Sequence, residues 1–160
     1  MEKRMHNIHT IEGKINAKNF KFALIAARFN GFVVKNLIDG AIDYLTRHNV
    51  TEQNITLVRV PGCGELPLAV KIAAHSKKYD GIICLGTIIK GETYHFELLA
   101  HETSKSLSQL TLNYQIPITW GILTTYNLEQ AIQRAGNKNG NKGTSAASAC
   151  LEMVNLINSM

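Results

Sequence analysis

A chain of 160 residues with 45% hydrophobic content and three prolines is long enough to bury one core and too apolar for disorder. Its net charge of +5 comes without a Lys/Arg block interleaved with aromatics, which argues against a nucleic-acid partner and leaves room for an anionic substrate. Cys63, Cys84 and Cys150 have neither CxxC nor Cys/His spacing, so a disulfide framework and a metal site are both unsupported. The polar stretch Met1–Thr10 carries no hydrophobic signal core, and no apolar run approaches the ~20 residues of a membrane span. A reducing, cytoplasmic location is the expectation.

From Lys21 onward strands and helices alternate. Phe22 to Ala27 reads as a buried strand, followed by a helix whose stripe is Val33, Leu37, Ile38, Ala41, Ile42 and Leu45. A second strand, Ile55 to Val60, stops at Pro61-Gly62, and the next helix turns Leu66, Ala69, Val70, Ala73 and Ala74 inward. The third strand is Gly81 to Ile89, and the long helix after it carries Leu98, Leu99, Leu107 and Leu110. The fourth strand covers Ile118 to Leu123 and stops at Thr124-Thr125. Asn127 with Gln130 resembles a capping box that opens a helix ending at Gly136. After the connector Asn137 to Gly143 comes a final helix with Ala146, Ala149, Leu151, Val154 and Ile157 on its inner face.

Such alternation predicts an α/β fold: a parallel four-stranded sheet with helices on both faces, in a single domain spanning residues 1–160. Four strands are few for this architecture, so Met5 to Ile15 is expected to add an edge strand, on a neighbouring subunit. Residues 1–12 are read as a mobile or edge-strand tail.

In an open α/β sheet, ligands bind at the carboxyl ends of the strands. The unusual residues collect there: Arg28-Phe29-Asn30-Gly31, Pro61-Gly62-Cys63-Gly64-Glu65, Lys90-Gly91-Glu92-Thr93-Tyr94-His95 and Thr124-Thr125-Tyr126-Asn127. The glycine turn after the third strand opens a helix, whose free N–H groups and positive dipole end suit an anion. His95, in the first turn, is the side chain best suited to proton transfer near neutral pH. Each residue also has a bland reading. Phe29 is a core plug, Glu65 favours a helix start through the dipole, and His95 is a surface residue. Arg134 is a cation near a helix end, Lys142 is solvated, and Cys63 fills a turn rather than reacting. From the residues alone the reading is a phosphate-binding α/β domain.

The combination of Ala27-Arg28-Phe29-Asn30, Val60-Pro61-Gly62 with Glu65-Leu66-Pro67-Leu68-Ala69, and Leu85 through His95-Phe96 resembles the lumazine synthase family of riboflavin biosynthesis. Gly121-Ile122-Leu123-Thr124-Thr125, Glu129-Gln130-Ala131 with Arg134-Ala135-Gly136, and Gly140-Asn141-Lys142-Gly143 continue the likeness in the same order, from about Gly13 to Ile157. The resemblance implies a three-layer α/β/α, flavodoxin-like fold and a cofactor-free transferase. Its reaction condenses 5-amino-6-(D-ribitylamino)uracil with 3,4-dihydroxy-2-butanone 4-phosphate to a lumazine, with loss of phosphate and water.

Carried over, the resemblance makes His95 the proton-transfer residue and places Gly91, Glu92 and Thr93 on the phosphate, which Arg134 meets from a neighbouring subunit. Phe29, Asn30 and Gly64 bound the pyrimidine, Glu65 holds the ribityl chain, Trp120 replaces a stacking phenylalanine, and Lys142 completes the site. One departure stands out: Cys63-Gly64 lies where the family usually has a small residue and then an aromatic. It keeps open the alternative of a catalytically weak paralogue that binds flavin or builds a shell. The resemblance further implies a homopentamer and, given the length of the connector Gly136 to Gly143, an icosahedral shell of sixty subunits that encloses or associates with riboflavin synthase.

Overall fold

The computed structural model describes residues 8–17, 19–136 and 140–160. Its first strand, β1 (Phe22–Ala27), is buried at every position, as a central parallel strand must be when helices cover both faces. Its side chains alternate between two cores. Phe22, Leu24 and Ala26 meet α1 (Gly31–Arg47) and α5 (Lys142–Ser159), while Ala23, Ile25 and Ala27 meet α2 (Leu66–His75) and α3 (His95–Tyr114). With β2 (Ile55–Val60), β3 (Gly81–Ile89) and β4 (Ile118–Thr125), the strands form one parallel sheet in the order β2-β1-β3-β4. The short helix α4 (Leu128–Arg134) follows β4. The result is the expected three-layer α/β/α arrangement.

Several local readings shift. β4 runs on through Thr124 and Thr125, because both residues pair with Ile88 and Ile89 of the long central strand. Asn127 caps α4 as expected by accepting the Gln130 amide at 2.9 Å, but the Gln130 side chain returns to the Tyr126 amide, also at 2.9 Å, and not to Asn127. The inner face of α5 is Gly143, Ala146, Ala147, Cys150, Leu151 and Val154, and the expected Ala149 and Ile157 are exposed. An alanine-rich helix gives its periodicity little contrast, so the expected stripe holds at Ala146, Leu151 and Val154 and fails at the other two. Of the expected edge strand Met5–Ile15, residues 5–7 lie outside the described residues, and residues 8–15 form no strand within one chain. The connector's residues 137–139 are also outside them.

Helices α1 and α5 cross at close range because glycine stands at the contact. A Cβ on Gly143 would lie 2.0 Å from the Leu37 carbonyl oxygen, and the Thr144 hydroxyl donates to the Gly40 carbonyl at 3.1 Å. Asn141 ties the crossing together. Its side-chain oxygen accepts the Gly143 amide at 2.8 Å, and its side-chain nitrogen donates to the Asn36 carbonyl at 2.8 Å. Gly143→Ala must force the helices apart, and we expect a loss of about 1–3 kcal/mol, read from the urea midpoint.

The switch in strand order falls between β1, which hands on to β2, and β3, which starts on the other side of β1. A crevice therefore opens at the carboxyl ends of these strands.

Candidate active site

That crevice is a cavity of about 530 Å³ lined by residues leaving β1, β2 and β3 and by the start of α3. Phe29, Gly64, Glu65, Gly91, Thr93 and His95, all singled out from the sequence, share it. Ile88, Phe96 and Leu99 supply an apolar wall suited to a flat ring. The Arg28 amide donates to the Val60 carbonyl at 2.8 Å and the Phe29 amide to the Pro61 carbonyl at 3.1 Å, so the exits of β1 and β2 are fastened by backbone. The ring of Phe29 is thereby left 70% exposed, which overturns its reading as a core plug.

Asn30 follows in the left-handed region at φ 54°, and its carbonyl accepts the Val33 and Val34 amides to start α1. Its side chain makes no cap bond and is free for another partner. It does not line the crevice of the single chain, and neither does Glu92.

The turn from β2 into α2 forms the next wall. Glu65 does take up the helix-start role: its carboxylate accepts the Gly62 amide at 2.9 Å through Oε2, while its other oxygen has no partner among the described residues. Gly64 has no structural need to be glycine, since an added Cβ would meet only Leu99 Cδ1, at an ordinary 3.4 Å. Cys63 is buried, and desolvation first, helped by the Glu65 charge, pushes its thiol up to about 12, with the Thr87 backbone offsetting part of the rise. Burial and a raised pKa favour the packing reading of this thiol over the reactive one. Burial likewise raises Cys84 and Cys150.

The third wall is the anion turn. Gly91 to His95 are all exposed, and α3 begins at His95 with no side-chain cap, whereas Asn127 and Asn141 cap α4 and α5. The uncapped start leaves N–H donors and the dipole's positive end available beside the imidazole. Lys90, just before the turn, reaches Glu97 at 3.4 Å and lies 5.6 Å from the centre of the Tyr126 ring.

Trp120, Arg134 and Lys142 are elsewhere. They line a separate cavity of about 280 Å³ along the outer side of β4. Trp120 is 38% exposed and donates its indole N–H to the Ile122 carbonyl at 2.8 Å. Arg134 is half-buried with Nη1 on the Gln130 carbonyl at 3.4 Å, and Lys142 is exposed at the start of α5. On one chain the histidine and the guanidinium thus lie on different cavities. Among the described residues no three His, Cys, Asp or Glu side chains gather closely enough to hold a metal ion.

Residues 19–158 match the family model described as 6,7-dimethyl-8-ribityllumazine synthase. The chain belongs to that family. It is 54% identical over 153 residues to a 6,7-dimethyl-8-ribityllumazine synthase of Nitratidesulfovibrio vulgaris strain DP4, covering 96% of this chain and 98% of that one. It is 51% identical over 150 residues to the same-named protein of Chlorobium phaeobacteroides strain BS1, covering 94% and 97%. For a lumazine synthase family member, sequence reasoning missed Leu99 and Phe96 on the ring wall and Thr103 behind it. Leu99 and Thr103 had a signal: they follow His95 at successive intervals of four on one helix, which puts all three on one stripe.

Proposed function

We propose that this chain is a 6,7-dimethyl-8-ribityllumazine synthase, a transferase acting in riboflavin biosynthesis. The observation that carries the reading is the placing of His95 on the same cavity as the open Phe29 ring and the anion turn, in a chain of this family. The pyrimidine lies between Phe29 and the Leu99 wall, and its ribityl hydroxyls meet the unpartnered oxygen of Glu65. The phosphate of the four-carbon ketone sits on the N–H groups of Gly91 to Thr93.

Bond changes follow from that placing. The 5-amino group of the pyrimidine attacks the ketone, and water leaves to give an imine. Removal of the proton next to the imine carbon drives out phosphate. The enol left at the hydroxyl-bearing carbon tautomerises to a ketone, and the ribityl-bearing nitrogen closes the ring on it with loss of a second water. His95 takes and returns the protons of these steps. Holding the two substrates together supplies much of the acceleration. The test is inorganic phosphate release by the purified protein, which must require both substrates. Phosphate appearing at the uncatalysed rate contradicts the reading.

The second cavity belongs to the same reaction in a ring of subunits, where Arg134, Lys142 and Trp120 of one chain face the crevice of the next. Two unlike patches on one chain are what a heterologous, ring-closing interface uses. We extend this to a cytoplasmic homopentamer, to a sixty-subunit shell, and to association with riboflavin synthase. Co-expressing His95→Ala with Arg134→Ala checks the shared site. Mixed rings regain activity that neither variant has alone, because some interfaces then combine an intact histidine with an intact arginine. Activity no higher than the sum of the two variants rejects the shared site.

Gly64 leaves the Gly62–Glu65 side of the crevice without an aromatic, which is what favours the weaker flavin-binding or shell-forming paralogue. Because a side chain fits at this position, Gly64→Phe is expected to lower the KM for the pyrimidine by about two- to tenfold in steady-state assays. An unchanged or higher KM would show that the wall is already complete.

A further inference from the structure

The turn Gly62–Glu65 forms one wall of the crevice, and it carries two glycines around a single buried residue, Cys63. A segment of that kind is soft unless something behind it holds it. Three contacts do. Thr103, buried in α3, donates its hydroxyl to the Cys63 carbonyl at 3.5 Å. The Cys63 thiol points to the Thr87 carbonyl of β3 at 3.9 Å. Its sulfur also occupies the niche beside Gly86, where a Cβ would come within 2.6 Å of it.

Thr103 is the only one of these partners on the helix that begins with His95. The two are eight residues apart, a little over two turns, and Leu99 lies between them on the same stripe. His95 and Leu99 line the crevice, and Thr103 grips the residue immediately before Gly64. One face of one helix therefore holds the proton carrier, the apolar wall and the tie to the opposite turn.

We propose that Thr103 is a positioning residue: its bond to the Cys63 carbonyl locks the Gly62–Glu65 turn to the helix that carries His95 and so fixes the width of the ring-binding slot. The inference rests on the function proposed above. It assigns the tie to one substrate only, because the anion turn Gly91–Thr93 joins α3 through the chain itself and not through Thr103.

The test uses Thr103→Val, which keeps the shape and removes the hydroxyl, with Thr103→Ser restoring it. Both KM values are measured in the full-length protein. In parallel, alkylation of Cys63 by iodoacetamide without substrates is followed by peptide mass spectrometry. For Thr103→Val the KM for the pyrimidine rises about fivefold while that for the ketone phosphate is unchanged, and Thr103→Ser returns it. Cys63 is alkylated faster in Thr103→Val than in the wild type, since the turn above it opens more often. An unchanged pyrimidine KM, an equal rise in both KM values, or an unchanged alkylation rate overturns the proposal. If the wild-type protein shows no turnover, the functional reading fails, and the alkylation rate alone decides the lock.

Discussion

Replacing His95 with alanine is expected to lower kcat on the order of 100-fold, near the lower end of what a positioned acid–base group contributes. The lower end applies because the remaining cavity still holds both substrates side by side, and proximity survives the loss of the imidazole. His95 is exposed at the first residue of α3 and its side chain has no hydrogen bond to another described residue, so the fold does not depend on the imidazole. The melting temperature should stay near that of the wild type, and both KM values should change little. Steady-state kinetics by lumazine absorbance check this. A kcat within twofold of the wild type would hand the proton transfers to water and leave His95 without a role.

Arg134→Ala should act on the other substrate. A guanidinium that makes two charge-assisted bonds to a phosphate contributes about 2–3 kcal/mol, which corresponds to a fall in kcat/KM on the order of 100-fold. The loss falls mainly on the KM for the ketone phosphate, and the KM for the pyrimidine holds. Inorganic phosphate should weaken as an inhibitor by a similar factor. Arg134→Lys restores only part of the effect, because an ammonium on a flexible stem cannot reproduce the planar fork. Equal kinetics for Arg134→Ala and wild type would separate the second cavity from the reaction. The half-buried setting of Arg134 against the Gln130 carbonyl already orients the guanidinium towards the outer side of β4.

The strands were legible to the residue where an apolar run met a charged residue or Pro, as for β1, β2 and β3. β4 was read short because a Thr-Thr pair looks like an ending, whereas pairing with a longer neighbour carries the strand through it. The face of α5 was misread at Ala149 and Ile157, since small residues pack by closeness of approach and not by hydrophobic contrast. That Phe29, Glu65 and His95 line one crevice was legible because each follows a strand end. Glu65 shows the limit of that logic: one oxygen serves the helix start while the other stays open, so the bland and the functional readings are compatible. The distance that separates Trp120, Arg134 and Lys142 from the crevice was not legible from types and spacing. It depends on which edge of the sheet β4 occupies. Thr103 shares the helical stripe of His95 and Leu99, but its partner, the Cys63 carbonyl, lies on another element that spacing along α3 does not reach.

The central claim is that a single chain type, through His95 on one cavity and Arg134 on another, makes a lumazine from a ribitylaminouracil and a ketone phosphate. The most direct measurement follows lumazine absorbance on mixing the purified protein with both substrates, with His95→Ala beside it. The account predicts formation well above the uncatalysed background and a clear fall in the variant. Formation at the background rate with the wild-type protein would contradict it.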